Sequence, residues 1–230
     1  MENNNLTLWK SVSRTDPVYT KAVQSRGGYT AISPQYQARM ATEQFGTYGS
    51  GWGLSKSAFS FELFESTGMA LHEATFFYVL DGKRHEFIIH NAIKVTTTTQ
   101  KGTTYSDEDF AKKVETNTIS KALSKLGFNA DVFMGLFDDH SYVASVGGEF
   151  AIEKADNKDA EREKQKAELS EWYEKNMAAM KKAVSMPELA GLYKATVRKL
   201  NHRGEKTLIQ NATTLKDEVK AILEQDNETA

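Results

Sequence analysis

The chain has 230 residues, 40% of them hydrophobic, a length that suits one large domain or a domain with a smaller module. With 29 Lys and Arg against 31 Asp and Glu the formal net charge is −2, so any binding of nucleic acid must rest on locally concentrated positive charge. The absence of cysteine excludes a disulfide framework, a thiolate metal site and a cysteine nucleophile and fits a reducing cytoplasm, while no apolar run nears the roughly 18 residues of a membrane span and MENNNLTLWK lacks a signal-peptide core.

In chain order, a helical piece is predicted over Leu6 to Val12. Asp16-Pro17 predicts a second helix, with Asp16 as cap and Pro17 in the first turn. Arg26-Gly27-Gly28 ends it in a flexible turn, and Ser33-Pro34 opens a third helix running through Gln35 to Phe45. Gly46, Gly49, Gly51 and Gly53 then interrupt regular structure. Ser57 to Phe64 alternates, placing Phe59, Phe61 and Leu63 on one face of a strand. Leu71 to Leu80 is rich in strand formers, Asp81-Gly82 is a hairpin signal, and Phe87 to Ile93 is the return strand. Val95 to Thr104 reads as a further strand or an exposed loop. A long helix follows from Ser106 to about Leu126, with Ser106 as cap, Asp107, Glu108 and Asp109 in the first turn, and Gly127 as the stop. The pattern is α+β: an antiparallel three- to four-stranded β-meander packed on one long helix, followed by a small helical C-terminal module.

Composition changes near residue 150. All 12 Phe and 7 of the 9 Tyr precede residue 151, whereas the 80 residues from 151 carry 15 Lys and Arg and 15 Asp and Glu. The expected organisation is a core domain over 1–150, a charged linker or exposed helix start over 151–167 containing few apolar residues, and a helical module over 168–230. In that module Met177, Met180, Ala183 and Val184, then Leu189, Leu192 and Tyr193 after Pro187, then Leu215, Val219 and Leu223, have helical spacing. Such stripes form a small bundle core.

The long helix divides into two faces. Ile119, Ala122, Leu123 and Leu126 should pack on the sheet, while Lys113, Asn117, Ser120, Lys121, Ser124 and Lys125 fall on the other side without a carboxylate among them. Such a strip can donate to a row of phosphate oxygens, although a charged helix face is more often simply solvated. Lys83 and Arg84 on the hairpin, Lys94 and Lys101 after it, and Arg26 and Arg39 upstream add local positive charge. Most Phe residues are expected in the core, which leaves Tyr48, Trp52 and Tyr105 as candidate platforms for base stacking. Enzyme signals are poor. There is no GxxxxGK[ST], GTYGSGWG lacks the strand and helix a dinucleotide loop needs, and His85-Glu86, His90 and Asp138-Asp139-His140 form no recognised metal motif. No catalytic residue, metal or cofactor is expected.

The stretch TAISPQYQARMATEQFGTYGSGWGLS, the strand pair turning at LDGKRHEF, and the helix KKVETNTISKALSKLGFNADVF together resemble the single-strand annealing proteins of phages, of the Erf/Sak type, and the eukaryotic annealing mediator of recombination that shares their fold. The likeness covers roughly residues 15–140. It implies a β-β-β-α core whose subunits assemble into rings or helical filaments and anneal complementary strands without ATP in homologous recombination and repair. DNA contacts would come from the helix segment ISKALSK and the hairpin, with Lys121 at a basic family position and Arg26 at a basic loop position. Ser120 and Ser124 stand where the eukaryotic relative has basic residues, a departure that Lys113 and Lys125 could offset. The resemblance further implies the cytoplasm of a bacterial host as the location, and a C-terminal module that docks a single-strand-binding protein or an exonuclease. The alternatives are a protein that protects single strands without annealing them, and a phage scaffolding or interaction protein.

Overall fold

A computed structural model describes residues 4–24, 27–64, 67–98 and 102–228. The chain forms two compact units, one of Met1–Thr15 and Tyr19–Met134, the other of Asp16–Val18 and Gly135–Ala230. The fold is α+β, with an antiparallel three-stranded sheet and several helices. Among the described residues, no helix is long and apolar enough to cross a membrane.

The first unit opens with α1 (Thr7–Val12), anchored by Leu8 and the fully buried Val12, one helical turn apart on the same face. Where Asp16-Pro17 predicts a helix, the chain makes only a 3-10 turn, Pro17–Tyr19. Asp16 does accept from the Val18 amide at 3.2 Å, as a cap would. The backbone then extends as β1 (Thr20–Val23), because this segment, with β-branched Thr20 and Val23 at its ends, pairs antiparallel with β2 (Tyr29–Ile32). Next, α2 (Pro34–Phe45) starts at the expected Ser33-Pro34, and Tyr36, Met40, Ala41 and Phe45 give it a buried side.

The main sheet has the order β3 (Trp52–Phe64), β4 (Thr67–Leu80), β5 (Lys83–Lys94), all antiparallel. β3 begins at Trp52 rather than Ser57, and a register shift between Leu54 and Lys56 separates its two parts. The β4–β5 turn is the one expected: Asp81 and Gly82 both have positive φ, 51° and 71°, as a two-residue hairpin of the right twist requires. One sheet face packs on two helices, α2 and α3 (Phe110–Lys125). The core between them holds Trp52, Ala74, Phe76 and Ile89 from the strands, Met40, Ala41 and Phe45 from α2, and Ala122 and Leu123 from α3.

Two short strands, β6 (Thr96–Thr98) and β7 (Thr104–Ser106), make a separate ribbon before α3. This pairing overturns the expected cap. Ser106 lies in β7, the helix begins at Phe110, and Asp107, Glu108 and Asp109 precede it rather than filling its first turn. Asp107 joins the ribbon through its amide to the Val95 carbonyl at 2.8 Å and accepts the Asp109 amide at 3.1 Å. Beyond Gly127 a short helix, α4 (Ala130–Phe133), follows.

The second unit contains α5 (His140–Lys154), α6 (Lys158–Lys181), α7 (Met186–His202) and α8 (Lys206–Glu228). Met180, Ala183, Leu189, Leu215 and Val219 form its core, joined by Met177, Leu192, Tyr193 and Leu223; Val184, by contrast, is exposed. Gly147 and Gly148 lie inside α5, and the absence of a side chain at Gly148 lets Gln165 of α6 donate to its carbonyl at 3.0 Å. The charged stretch 151–167 is helical except at Ala155–Asn157.

Candidate nucleic-acid interface

The packing of α3 decides which of its side chains reach solvent. Val114, Thr118, Ala122 and Leu123 are buried, with Ile119 and Leu126 against the core. Lys113, Asn117, Lys121 and Lys125 recur at four-residue steps on an exposed side. This side runs along β5, whose outer edge has no strand partner among the described residues. Lys121 Nζ donates to the His90 carbonyl on that edge at 2.9 Å. Lys113 Nζ lies 2.7 Å from both carboxylate oxygens of Asp107, and this contact holds the Asp107 carboxyl below its usual range. Ser124, half-buried, donates back to the Lys121 carbonyl at 2.9 Å, so its hydroxyl proton is directed into the helix. Lys125 has no carboxylate within ion-pair distance among the described residues.

At the N-terminal half of this strip a groove of about 820 Å³ opens between the start of α2, the end of β5 and α3. Lys94, Lys112 and Lys113 line it against one carboxylate, Asp107, with Thr116 and Asn117 as neutral donors. The structure thus brings together Lys94, Lys113 and Asn117 from the sequence reading and adds Lys112, which the two-face division of the helix passed over. Farther along, Lys121 lines a second groove with Ser60, His90 and Asn91, where His90 Nδ1 stands 3.4 Å from Glu73 Oε2.

Other expected residues are not gathered there. Arg84 sits over the Phe77 ring at 3.7 Å and pairs with Glu86; Phe77 points away from the helix-packed face that holds Phe76, so Arg84 is on the opposite side of the sheet from α3. Lys83 is exposed at the β5 start. Arg39 is engaged by Glu43 at 3.3 Å and by the Tyr19 hydroxyl at 3.2 Å, above the stacked rings of Tyr19 and Tyr36. Arg39, Tyr48 and Trp52 line a separate groove of about 420 Å³ between α2 and α3. Trp52 is corrected as a stacking platform: it is 2% exposed, is part of the core, and donates its indole N–H to Thr42 at 3.2 Å. Tyr48 is half exposed, edge-on to Trp52, and its hydroxyl is pushed up by burial and by Glu115. Tyr105 is exposed on β7. Arg26 and Lys101 lie outside the described residues.

Two buried polar groups under the site escaped the sequence reading. His72, 1% exposed, is held between Thr118 Oγ1 and Ser57 Oγ, each at 2.8 Å. Thr118 gives its own proton to the Val114 carbonyl at 2.7 Å, so Nδ1 of His72 must carry the hydrogen and Nε2 must accept from Ser57. Burial pushes the imidazole pKa down, and Glu115 opposes this. At the end of α3, Asn129 adopts a left-handed conformation at φ 55° and bonds to Thr15 and Gln37, while Asp131 accepts two bonds from Thr15. No local pattern marks such long-range partners.

Asp139 of the DDH cluster is tied to Arg198 Nε at 2.7 Å, His202 Nε2 at 2.9 Å and the Ser141 amide at 2.8 Å. Among the described residues, no three His, Asp or Glu side chains converge as a metal site requires. No family model matches the chain, and no curated protein matches it in sequence.

Proposed function

We propose that this protein binds single-stranded DNA through the sugar–phosphate backbone and anneals complementary strands without ATP, as an assembly of identical subunits. The observation that carries the reading is the strip of Lys94, Lys112, Lys113, Asn117, Lys121 and Lys125 along α3 and the outer edge of β5, with three lysines facing one carboxylate in one groove. Lysines and a neutral amide grip phosphate without reading sequence. Annealing breaks and makes no covalent bond, so it needs only that repulsion between backbones be reduced while base edges stay free. Repetition of one weak strip around an assembly converts it into a continuous track through effective concentration.

In this reading β3, β4, β5 and α3 are the β-β-β-α core of an annealing protein, and the helical unit after Met134 docks a partner of the recombination machinery. The likeness in residues 15–140 supports the first part. The test is a strand-annealing assay with complementary oligonucleotides and no nucleotide cofactor, paired with binding titrations over a range of salt. Expected are annealing, and a steep loss of affinity with salt that Lys113→Ala with Lys121→Ala makes shallower by about 0.7 per lost contact, equally for unrelated sequences. Binding without annealing would leave a single-strand-protecting protein. Failure to bind would favour an interaction protein, for which Lys121 capping the His90 carbonyl and Lys113 held by Asp107 are purely architectural contacts.

A further inference from the structure

At the far end of the lysine strip a groove of about 640 Å³ is lined by Trp9, Ser11, Tyr78, Asp81 and Lys125. We propose that it is a base-binding subsite in which a nucleobase of the single strand stacks on Trp9 while Lys125 meets the adjoining phosphate. The proposal rests on the single-strand reading above and adds to it an aromatic platform at the end of the lysine strip.

Four observations support it. First, α1 is already anchored without Trp9, since Leu8 and Val12 supply its core contacts, and Trp9 remains 38% exposed. Second, the indole has a rigid seat. It packs so closely on Gly127 that a β-carbon built there would fall 2.6 Å from Cδ2 and 2.7 Å from Cε3. A fixed ring loses little freedom on stacking, which is the property a base platform needs. Third, Lys125 is the last of the lysines spaced along α3, so a backbone following Lys113, Asn117 and Lys121 reaches this groove next. Fourth, the groove holds a second aromatic group, Tyr78, stacked on His85 at 5.1 Å. Its size is within the usual range of small-ligand sites. Asp81 on the same rim repels phosphate, so the backbone belongs on the Lys125 side and the base on the Trp9 side. Trp52, the tryptophan that local sequence context favoured, cannot take this role because it is sealed in the core.

The experiment uses the full-length protein and oligothymidylate carrying a single 5-iodouracil. Irradiation followed by peptide mass spectrometry is expected to place the adduct on Trp9. In binding titrations Trp9→Leu, which keeps an apolar group against Gly127, is expected to lose roughly five- to a hundred-fold in affinity, and Trp9→Tyr to recover most of it. Neither changes the salt slope, whereas Lys125→Ala lowers it by about 0.7. Adducts elsewhere, together with wild-type affinity for Trp9→Leu, would overturn the subsite while leaving the lysine strip standing. Absence of any binding by the wild-type chain would overturn both. Photo-crosslinking uses the unmodified protein, so the outcome does not depend on a variant folding.

Discussion

Lys113 and Asp107 form a two-point ion pair, the ammonium nitrogen 2.7 Å from each carboxylate oxygen, in the wall of the groove that Lys94 and Lys112 also line. The carboxylate competes with phosphate for the lysine. Asp107→Asn is therefore expected to raise affinity for single-stranded DNA about two- to five-fold at low salt and to steepen the salt dependence by up to about 0.7. Fluorescence anisotropy with two unrelated oligonucleotides checks this; an unchanged slope would mean that Lys113 does not face the nucleic acid.

His72 gives the sheet-containing unit a defined pH response. Its folded-state pKa lies below the unfolded value because burial disfavours the imidazolium. Below about pH 6.5 the unfolded chain takes up a proton that the folded chain resists, so this contribution to stability is complete above that pH and declines as pH falls toward the lowered folded value. Thermal melts between pH 7.5 and 5 are expected to show the decline, and His72→Gln to remove part of it. The same substitution disturbs two hydrogen bonds to hydroxyls and should cost about 1–3 kcal/mol at neutral pH.

Gly127→Ala is expected to act twice. At φ +95° a β-carbon is strained, and it collides with the Trp9 indole. The cost should be at least about 1–2 kcal/mol. With Trp52 and Trp172 unchanged, the summed tryptophan emission should gain a longer-wavelength component as the Trp9 ring is displaced into water.

Asp139 caps α5 and is held far below the usual carboxylate range, first by Arg198 and then by His202 and the Ser141 amide. A depressed pKa stabilises above the ordinary carboxylate value and is lost only in strong acid, below about pH 4. Asp139→Ala should cost about 1 kcal/mol at pH 7, as loss of a cap does. Hydrogen exchange should show faster exchange in the first turn of α5 and little change in the sheet.

Much of the main sheet was legible because its signals are local. Asp81-Gly82 admits the left-handed angles of a tight hairpin, and alternation in β3 placed Phe59 and Phe61 together, where both now contact Phe110. The errors lie where tertiary pairing overrides a local preference. Asp16-Pro17 is a good helix start, but the residues after it find a strand partner in Tyr29–Ile32. Ser106 is a good cap, but Thr96–Thr98 draws it into a ribbon. In the site, helical periodicity identified Lys113, Asn117, Lys121 and Lys125, and Lys94 was read from its place after the hairpin, whereas Lys112 required the groove itself. Trp9 was hidden because an aromatic residue in a short amphipathic helix reads as core. Its exposure follows from Leu8 and Val12 having already filled that role.

The bonds between Thr15 and Asp131 join residues 116 positions apart, and Asn129 returns to the main-chain carbonyl of Val12 in the same place. During synthesis Thr15 leaves the ribosome long before Asp131 exists. At roughly 5–20 residues per second, several to tens of seconds of translation separate them. Through that interval the nascent sheet lacks its latch, and until α3 is made part of its apolar face is exposed to whatever chains are nearby. Yield of native protein should consequently respond to translation speed and to chaperone supply more strongly than final stability alone would suggest.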